Sequence, residues 1–177
     1  MSHSTKIKHF TGYHGTPKNN IKSIQQNGYK ISSDAEWFGE GIYFFGSLDS
    51  VTSGSNEAKQ FLKNARKINN PAIFKSYFYT DVYIDIVKNN GHRRQFFELQ
   101  DQLVKLHEKY SGSNKNVQIS DKFVLSVLLK NFGTKIALIR VPCDGKKYPG
   151  YFSQIIKRFQ VQIVVKDPKI IKKTILC

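Results

Sequence analysis

Two glycine-flanked aromatic segments, Gly12-Tyr13-His14-Gly15-Thr16 and Trp37-Phe38-Gly39-Glu40-Gly41-Ile42-Tyr43-Phe44-Phe45, constrain the fold of this chain more than any other feature. Each couples glycines to a polar ring. The first sets an imidazole between a tyrosine and a Gly-Thr step. The second sets a phenol on a strand entered through Gly39 and Gly41, where the missing Cβ lets backbone approach a ligand closely. Side by side, the two segments suit the walls of a slot for a flat, hydroxyl-rich molecule.

At 177 residues the chain reads as a single domain, 1–177, large enough to bury a core without disulfides or a metal. Its 40% hydrophobic content fits a folded protein. The stretch 1–8 is polar and basic, and no apolar run suits a secretory leader or a membrane span, so a cytoplasmic location without a membrane partner is expected. Cys143 and Cys177 lack the spacing of a metal site or a disulfide framework and read as free thiols, and the His residues are scattered, so no metal is expected.

The formal net charge of +15 creates a long-range positive field, and nucleic acid is the first partner it suggests. An A- and T-rich genome, which favours Lys, Asn and Ile together, accounts for the same excess. Lys far outnumbers Arg, so a functional charge would serve phosphate attraction more than base reading.

No repeat and no Pro/Gly linker divides the chain, which reads as one α+β unit. Ile21 and Ile24 after Thr16-Pro17 have helical spacing, with Gly28 placed to end the helix. Ser32 to Glu36 reads as a polar loop and 41–45 as a strand. A helical stripe runs over 56–68 through Ala58, Phe61, Leu62 and Ala65, and alternation over 73–87 predicts one strand. Amphipathic helices are expected over 94–110 and 120–131, and central strands over 135–141 and 161–165. Between those strands, Asp144 to Gln160 is a long loop rich in Lys and rings, of the kind that usually serves a function.

These segments resemble the ADP-ribosyltransferases, and more narrowly the His-Tyr-Glu branch shared by diphtheria-type toxins and poly(ADP-ribose) polymerases. Tyr13-His14-Gly15-Thr16 is similar to the first-strand motif of that family. Gly39-Glu40-Gly41-Ile42-Tyr43-Phe44 is similar to the second, with an Ala-bearing helix following at Ala58. Gln162-Ile163-Val164-Val165-Lys166-Asp167-Pro168 resembles the strand that carries the family's catalytic Glu. No motif is matched over 74–134.

The resemblance implies an α+β ADP-ribosyltransferase fold, with central split, antiparallel-rich β-sheets flanked by helices, and NAD+ as co-substrate. His14 would bond a hydroxyl of the adenosine-side ribose, a task suited to neutral imidazole. Gly15 would offer its backbone to the nicotinamide carboxamide, Thr16 a hydroxyl contact on the adenosine side, and Tyr13 and Gly41 the neighbouring walls. Tyr43 would stack on the cationic nicotinamide ring, with Phe61 as the opposing wall. Gln162 stands where the family's Glu bonds the ribose 2′-hydroxyl. It accepts a hydrogen bond but carries no full negative charge and is no base.

Three consequences follow: transfer of a single ADP-ribose unit with the proton taken elsewhere, recruitment of another carboxylate such as Glu40, or binding without catalysis. The acceptor is expected at the basic loop, through Lys146, Lys147, Tyr148, Lys157 and Arg158, together with Tyr151 and Phe152. Cations interleaved with rings suit a single-stranded nucleic acid, RNA foremost, and a solvated basic loop is the plainer alternative. His92-Arg93-Arg94 reads as a helix-start surface. The expectation is therefore a mono-ADP-ribosyltransferase acting on nucleic acid, of the toxin–antitoxin or phage-defence type and held in check by an antitoxin protein. The rivals are a protein-modifying transferase, a non-catalytic NAD+ or ADP-ribose binding module and, more remotely, an RNA 2′-phosphotransferase.

Overall fold

Alternation in the first strand decides which side of the sheet becomes the core. In β1 (Lys8–Pro17), Phe10, Gly12 and Thr16 are buried while Lys8 and His9 face solvent. The computed structural model describes residues 6–32, 38–47, 53–111, 119–132, 136–143 and 160–177. Its further strands are β2 (Ile42–Gly46), β3 (Pro71–Thr80), β4 (Tyr83–Asp85), β5 (Leu138–Cys143), β6 (Gln160–Val165) and β7 (Ile171–Leu176). They form a seven-stranded sheet in the order β4-β5-β6-β2-β1-β3-β7, antiparallel except between β4 and β5. The helices are α1 (Ile21–Asn27), α2 (Gly54–Asn64), α3 (Asn90–Ser111) and α4 (Asp121–Phe132). Among the described residues no helix is long and apolar enough to cross a membrane.

One face of the sheet buries Phe10, Phe44, Phe78, Ile163 and Val165, with Tyr29 packed against them. On the other face α3 and α4 bring Phe96, Val124, Leu125 and Leu128 against Ile139, Val141 and Val164. α2 covers Tyr13, Phe45 and Ile73 on that same face through Ala58. Gly12 belongs to the first face for a steric reason. A Cβ there would lie 2.7 Å from Phe44 Cβ and 3.0 Å from the Phe78 ring.

The expected helix ending at Gly28 is present, closed by the Gly28 N–H bonded to the Ile24 carbonyl at 3.0 Å with Gly28 at φ +73°, a conformation that favours glycine. One strand expectation is corrected, and one strand is new. The single strand over 73–87 is two strands lying near opposite ends of the sheet. Thr80 Oγ1 accepts the Val82 N–H at 3.0 Å and turns the chain out of β3, and alternation alone cannot say which partner a strand finds. β7, to which no periodicity pointed, pairs with β3 as an edge strand whose side chains are largely exposed.

The helix-start cluster 92–94 turns inward, contrary to the expected surface role. His92 Nδ1 accepts the Asp85 N–H at 3.0 Å, and Arg93 donates from Nε to the Ile86 carbonyl at 3.0 Å and from its terminal nitrogen to the Val87 carbonyl. Arg93 thus satisfies backbone acceptors leading into α3, and Arg94 alone of the three is exposed. Asp85 accepts the Val87 and Lys88 N–H groups at 2.9 and 3.0 Å and pairs with Arg140 at 3.5 Å, both side chains being almost wholly buried. Arg140 also donates to the Ser47 carbonyl at 3.1 Å.

Candidate active site

The two glycine-flanked segments meet where the sheet is weakest. β2 pairs with β6 from Ile42 to Gly46 and β1 with β3 along its whole length, yet β1 and β2 are in register at Tyr13 and Phe45 alone among the described residues. The sheet is thus two ladders joined at a narrow seam. His14 closes the seam on one side, where its Nδ1 lies 2.9 Å from the Tyr43 carbonyl. A carbonyl only accepts, so Nδ1 carries the proton and Nε2 is left with a lone pair to accept a hydrogen bond. The rings of Tyr29 and Phe44 hold the imidazole edge-on at 5.0 and 5.7 Å.

Burial pushes the His14 pKa below its ordinary 6.5, and the bond to Tyr43 offsets this in part. His92 is shifted in the same direction by burial, opposed by Asp85. Below pH 6.5 the unfolded chain binds protons that folded His14 and His92 resist, so their contribution to stability is complete above that pH and is lost as the pH falls through their folded values. Urea midpoints taken from about pH 7.5 down to about pH 5.5 are therefore expected to decline, and His14→Gln is expected to flatten that decline.

Continuing the Tyr13–Phe45 register sets Gly15 across from Tyr43, and side-chain alternation puts Tyr13, Gly15, Tyr43, Phe45 and Gln162 on the face that carries the helices, with Tyr13 and Phe45 under α2 and Tyr43 against the α3–α4 cluster. The reason for glycine at position 15 is packing. A Cβ there would lie 2.7 Å from Leu62 Cδ1 and 3.1 Å from the Ala58 carbonyl, so glycine lets α2 sit down on β1. Gly41 serves β6 in the same way, its Cβ position being 2.6 Å from Val164 Cγ1.

The Tyr43 hydroxyl donates to the Gly39 carbonyl at 2.7 Å and accepts the Phe38 N–H at 2.9 Å, which fixes the ring's orientation. Phe61 is 37% exposed on α2, and its ring contacts Phe45 at 5.5 Å. Gln162 lies directly across from Phe45 on one side and Val141 on the other. Phe61 and Gln162 therefore meet the seam through one shared neighbour, Phe45. The Thr16 hydroxyl, by contrast, is buried and accepts from Asn20 Nδ2 at 3.2 Å. The expected acceptor residues Lys146, Lys147, Tyr148, Lys157 and Arg158 lie outside the described residues.

A carboxylate that the sequence reading passed over stands on this face. Gln160 Nε2 donates to Glu57 Oε2 at 2.7 Å, bringing α2 against β6. Gln160 and Gln162 point to the same side of β6, and Glu57 lies one helical turn before Phe61. The four-residue spacing of Glu57 and Phe61 is the signal that the sequence carried. Glu40 stands in the turn before β2, where its backbone carbonyl is bound. Lys166 Nζ donates to the carbonyls of Phe38 and Glu40 at 2.5 Å each, and its pKa is lowered by burial and partly restored by Glu40. Glu40 precedes Phe45, the partner of Gln162, by up to roughly 16 Å of extended chain. Comparison with family models, curated proteins and solved structures returned no match for this chain.

Proposed function

We propose that this chain is a mono-ADP-ribosyltransferase that cleaves NAD+ at the nicotinamide–ribose bond and passes ADP-ribose to a nucleic acid. The observation that carries the reading is the seam between β1 and β2, where His14 has a settled tautomer, its Nδ1 bonded to the Tyr43 carbonyl and its Nε2 left to accept on the Tyr29 and Phe44 side of the sheet. A ribose hydroxyl donates to that Nε2. Tyr43, oriented by its two hydroxyl bonds and packed on its core side against the α3–α4 cluster, and Phe61, 37% exposed on α2, are the rings assigned to a cationic nicotinamide in this reading.

Cleavage leaves the bonding electron pair on nicotinamide and builds positive charge at the ribose carbon, as in glycoside hydrolysis. Gln162 bonds the ribose, and Glu57 supplies the negative charge that Gln162 lacks and takes the proton of the attacking acceptor hydroxyl or amine.

The test is incubation with NAD+ labelled on the adenine side in the presence of separate RNA, DNA and protein pools, with released nicotinamide measured alongside. Label is expected on nucleic acid, in amounts equal to the nicotinamide released. Label on protein alone would select the protein-modifying rival. The amide at Gln162 favours a second reading, a module that binds NAD+ or ADP-ribose without reaction, and NAD+ binding with no nicotinamide release would establish it.

A further inference from the structure

The face of β1, β3 and β7 that points away from Phe10 and Phe78 is covered by α2 only at its Tyr13–Ile73 end. An outward sheet face ordinarily carries Thr, Ser and mixed charges. Here the register sets His9 across from Tyr79, Thr11 across from Tyr77, and Tyr13 across from Lys75 on one side of the sheet. β7 extends the rows, with Lys173 beside Tyr77 and Ile175 beside Lys75. The His9 and Tyr79 rings are stacked at 4.4 Å with planes 28° apart, and Tyr79 is 40% exposed. Lys75 Nζ lies 5.1 Å from the centre of the Tyr77 ring and 6.0 Å from that of Tyr13.

Cross-strand ring pairs stabilise a sheet by themselves, so the cations decide the matter. Lys75 and Lys173 lie among the rings, and no Asp or Glu occupies a described position of these rows. Asp81 lies in the turn after β3, and Glu57 is bonded by Gln160 of β6.

We propose that this face binds single-stranded RNA, with bases stacking on Tyr77 and on the His9–Tyr79 pair and backbone phosphates meeting Lys75 and Lys173. Rings arrayed on a sheet hold unpaired bases through their π faces, while a duplex keeps its bases stacked inside and has none to offer. The tyrosine and Thr11 hydroxyls give a ribose 2′-hydroxyl partners that deoxyribose cannot use, and this selects RNA over DNA.

From His9 to Gly15 the strip covers roughly 20 Å, the span of a few nucleotides, and Tyr13 joins it to the seam at Phe45. Binding stands on this face alone. That the bound strand is the ADP-ribose acceptor rests on the transferase reading above.

The test is fluorescence anisotropy of the full chain with a fluorescein-labelled single-stranded RNA of about a dozen nucleotides, against the same sequence as DNA and as an RNA duplex. Single-stranded RNA is expected to bind tightest. Tyr77→Ala with Tyr79→Ala is expected to weaken it by about 10-fold or more, whereas the corresponding Phe pair keeps the stacking and most of the affinity. Lys75→Gln with Lys173→Gln is expected to lower the slope of log affinity against log salt by about 1.4, and Lys105→Gln with Lys109→Gln on α3 to change it little.

Equal affinity for duplex or DNA overturns the proposal. So does an alanine pair that binds like the unaltered protein, or an α3 pair that costs as much as the Lys75 and Lys173 pair. NAD+ cleavage without RNA is followed in the same preparations. Cleavage intact with no RNA bound sinks this proposal alone, while RNA bound with neither cleavage nor NAD+ binding sinks the transferase reading alone.

Discussion

Glu57→Gln is expected to lower ADP-ribosyl transfer by about 10²–10³-fold in single turnovers while leaving NAD+ affinity within a few-fold. Charge builds at the ribose carbon only as the glycosidic bond breaks, so a carboxylate acting on that charge lowers the barrier more than it aids binding. The substitution keeps the side-chain shape and an oxygen for the Gln160 Nε2 bond, which is 2.7 Å long in the native chain, and so separates charge from packing. Adding Gln162→Glu to that variant restores a carboxylate on the same face and is expected to recover a large part of the lost rate. Unchanged turnover in Glu57→Gln would remove Glu57 from the chemistry, and no recovery in the double variant would place the lost function at position 57 itself.

The second large effect is on stability. Asp85→Ala is expected to cost about 3–5 kcal/mol, because it strands the Arg140 guanidinium in the interior. It also removes the acceptor of the Val87 and Lys88 N–H groups in the turn that leads into α3. For a domain of this size the melting temperature would fall by roughly 6–20 °C. Asp85→Asn keeps an acceptor for the turn and is expected to lose less. Thermal melts of the two variants at neutral pH measure the difference. Equal losses would assign the effect to the missing charge alone, and a loss below about 1 kcal/mol in Asp85→Ala would mean that Arg140 finds water or another partner.

Asp85 and Arg140 show how local and long-range information divide in this chain. Nothing in the neighbourhood of either residue marks it, since they are far apart in sequence and meet only because β4 lies parallel beside β5. Arg93 is similar. Read locally it belongs to a basic run, and only the placement of the chain before α3 turns its guanidinium onto two backbone carbonyls. Alternation over 73–87 announced strand but could not say that the chain changes sheet ends after Thr80. β7 was missed because an edge strand buries too little to impose a pattern on its residues.

What could be read directly were the features whose cause is local. Gly28 ends α1 because its backbone conformation favours glycine, α2 and α4 follow their apolar spacing, and β6 is a β-branched apolar strand, interrupted by Gln162, that ends before a Pro turn. The glycines at 12, 15 and 41 were visible as glycines, but the reason for each is a neighbour from a distant segment: Phe44 and Phe78, Leu62 and Ala58, and Val164.

The sequence by itself determined the mixed α and β character, most helices and strands, the positive charge, and the pairing of a His-Gly step with a Tyr-bearing strand. The tertiary structure alone decided that those two strands meet at a narrow seam, that the His14 proton sits on Nδ1, that Glu57 is bonded by Gln160 on the Gln162 side of β6, and that tyrosines and lysines share one open face. The physical reason is range. Propensity, capping and side-chain period act over a few residues, whereas a tautomer, a buried ion pair or a patch of like chemistry is set by whichever strand or helix packs alongside, and that depends on the whole chain folding at once.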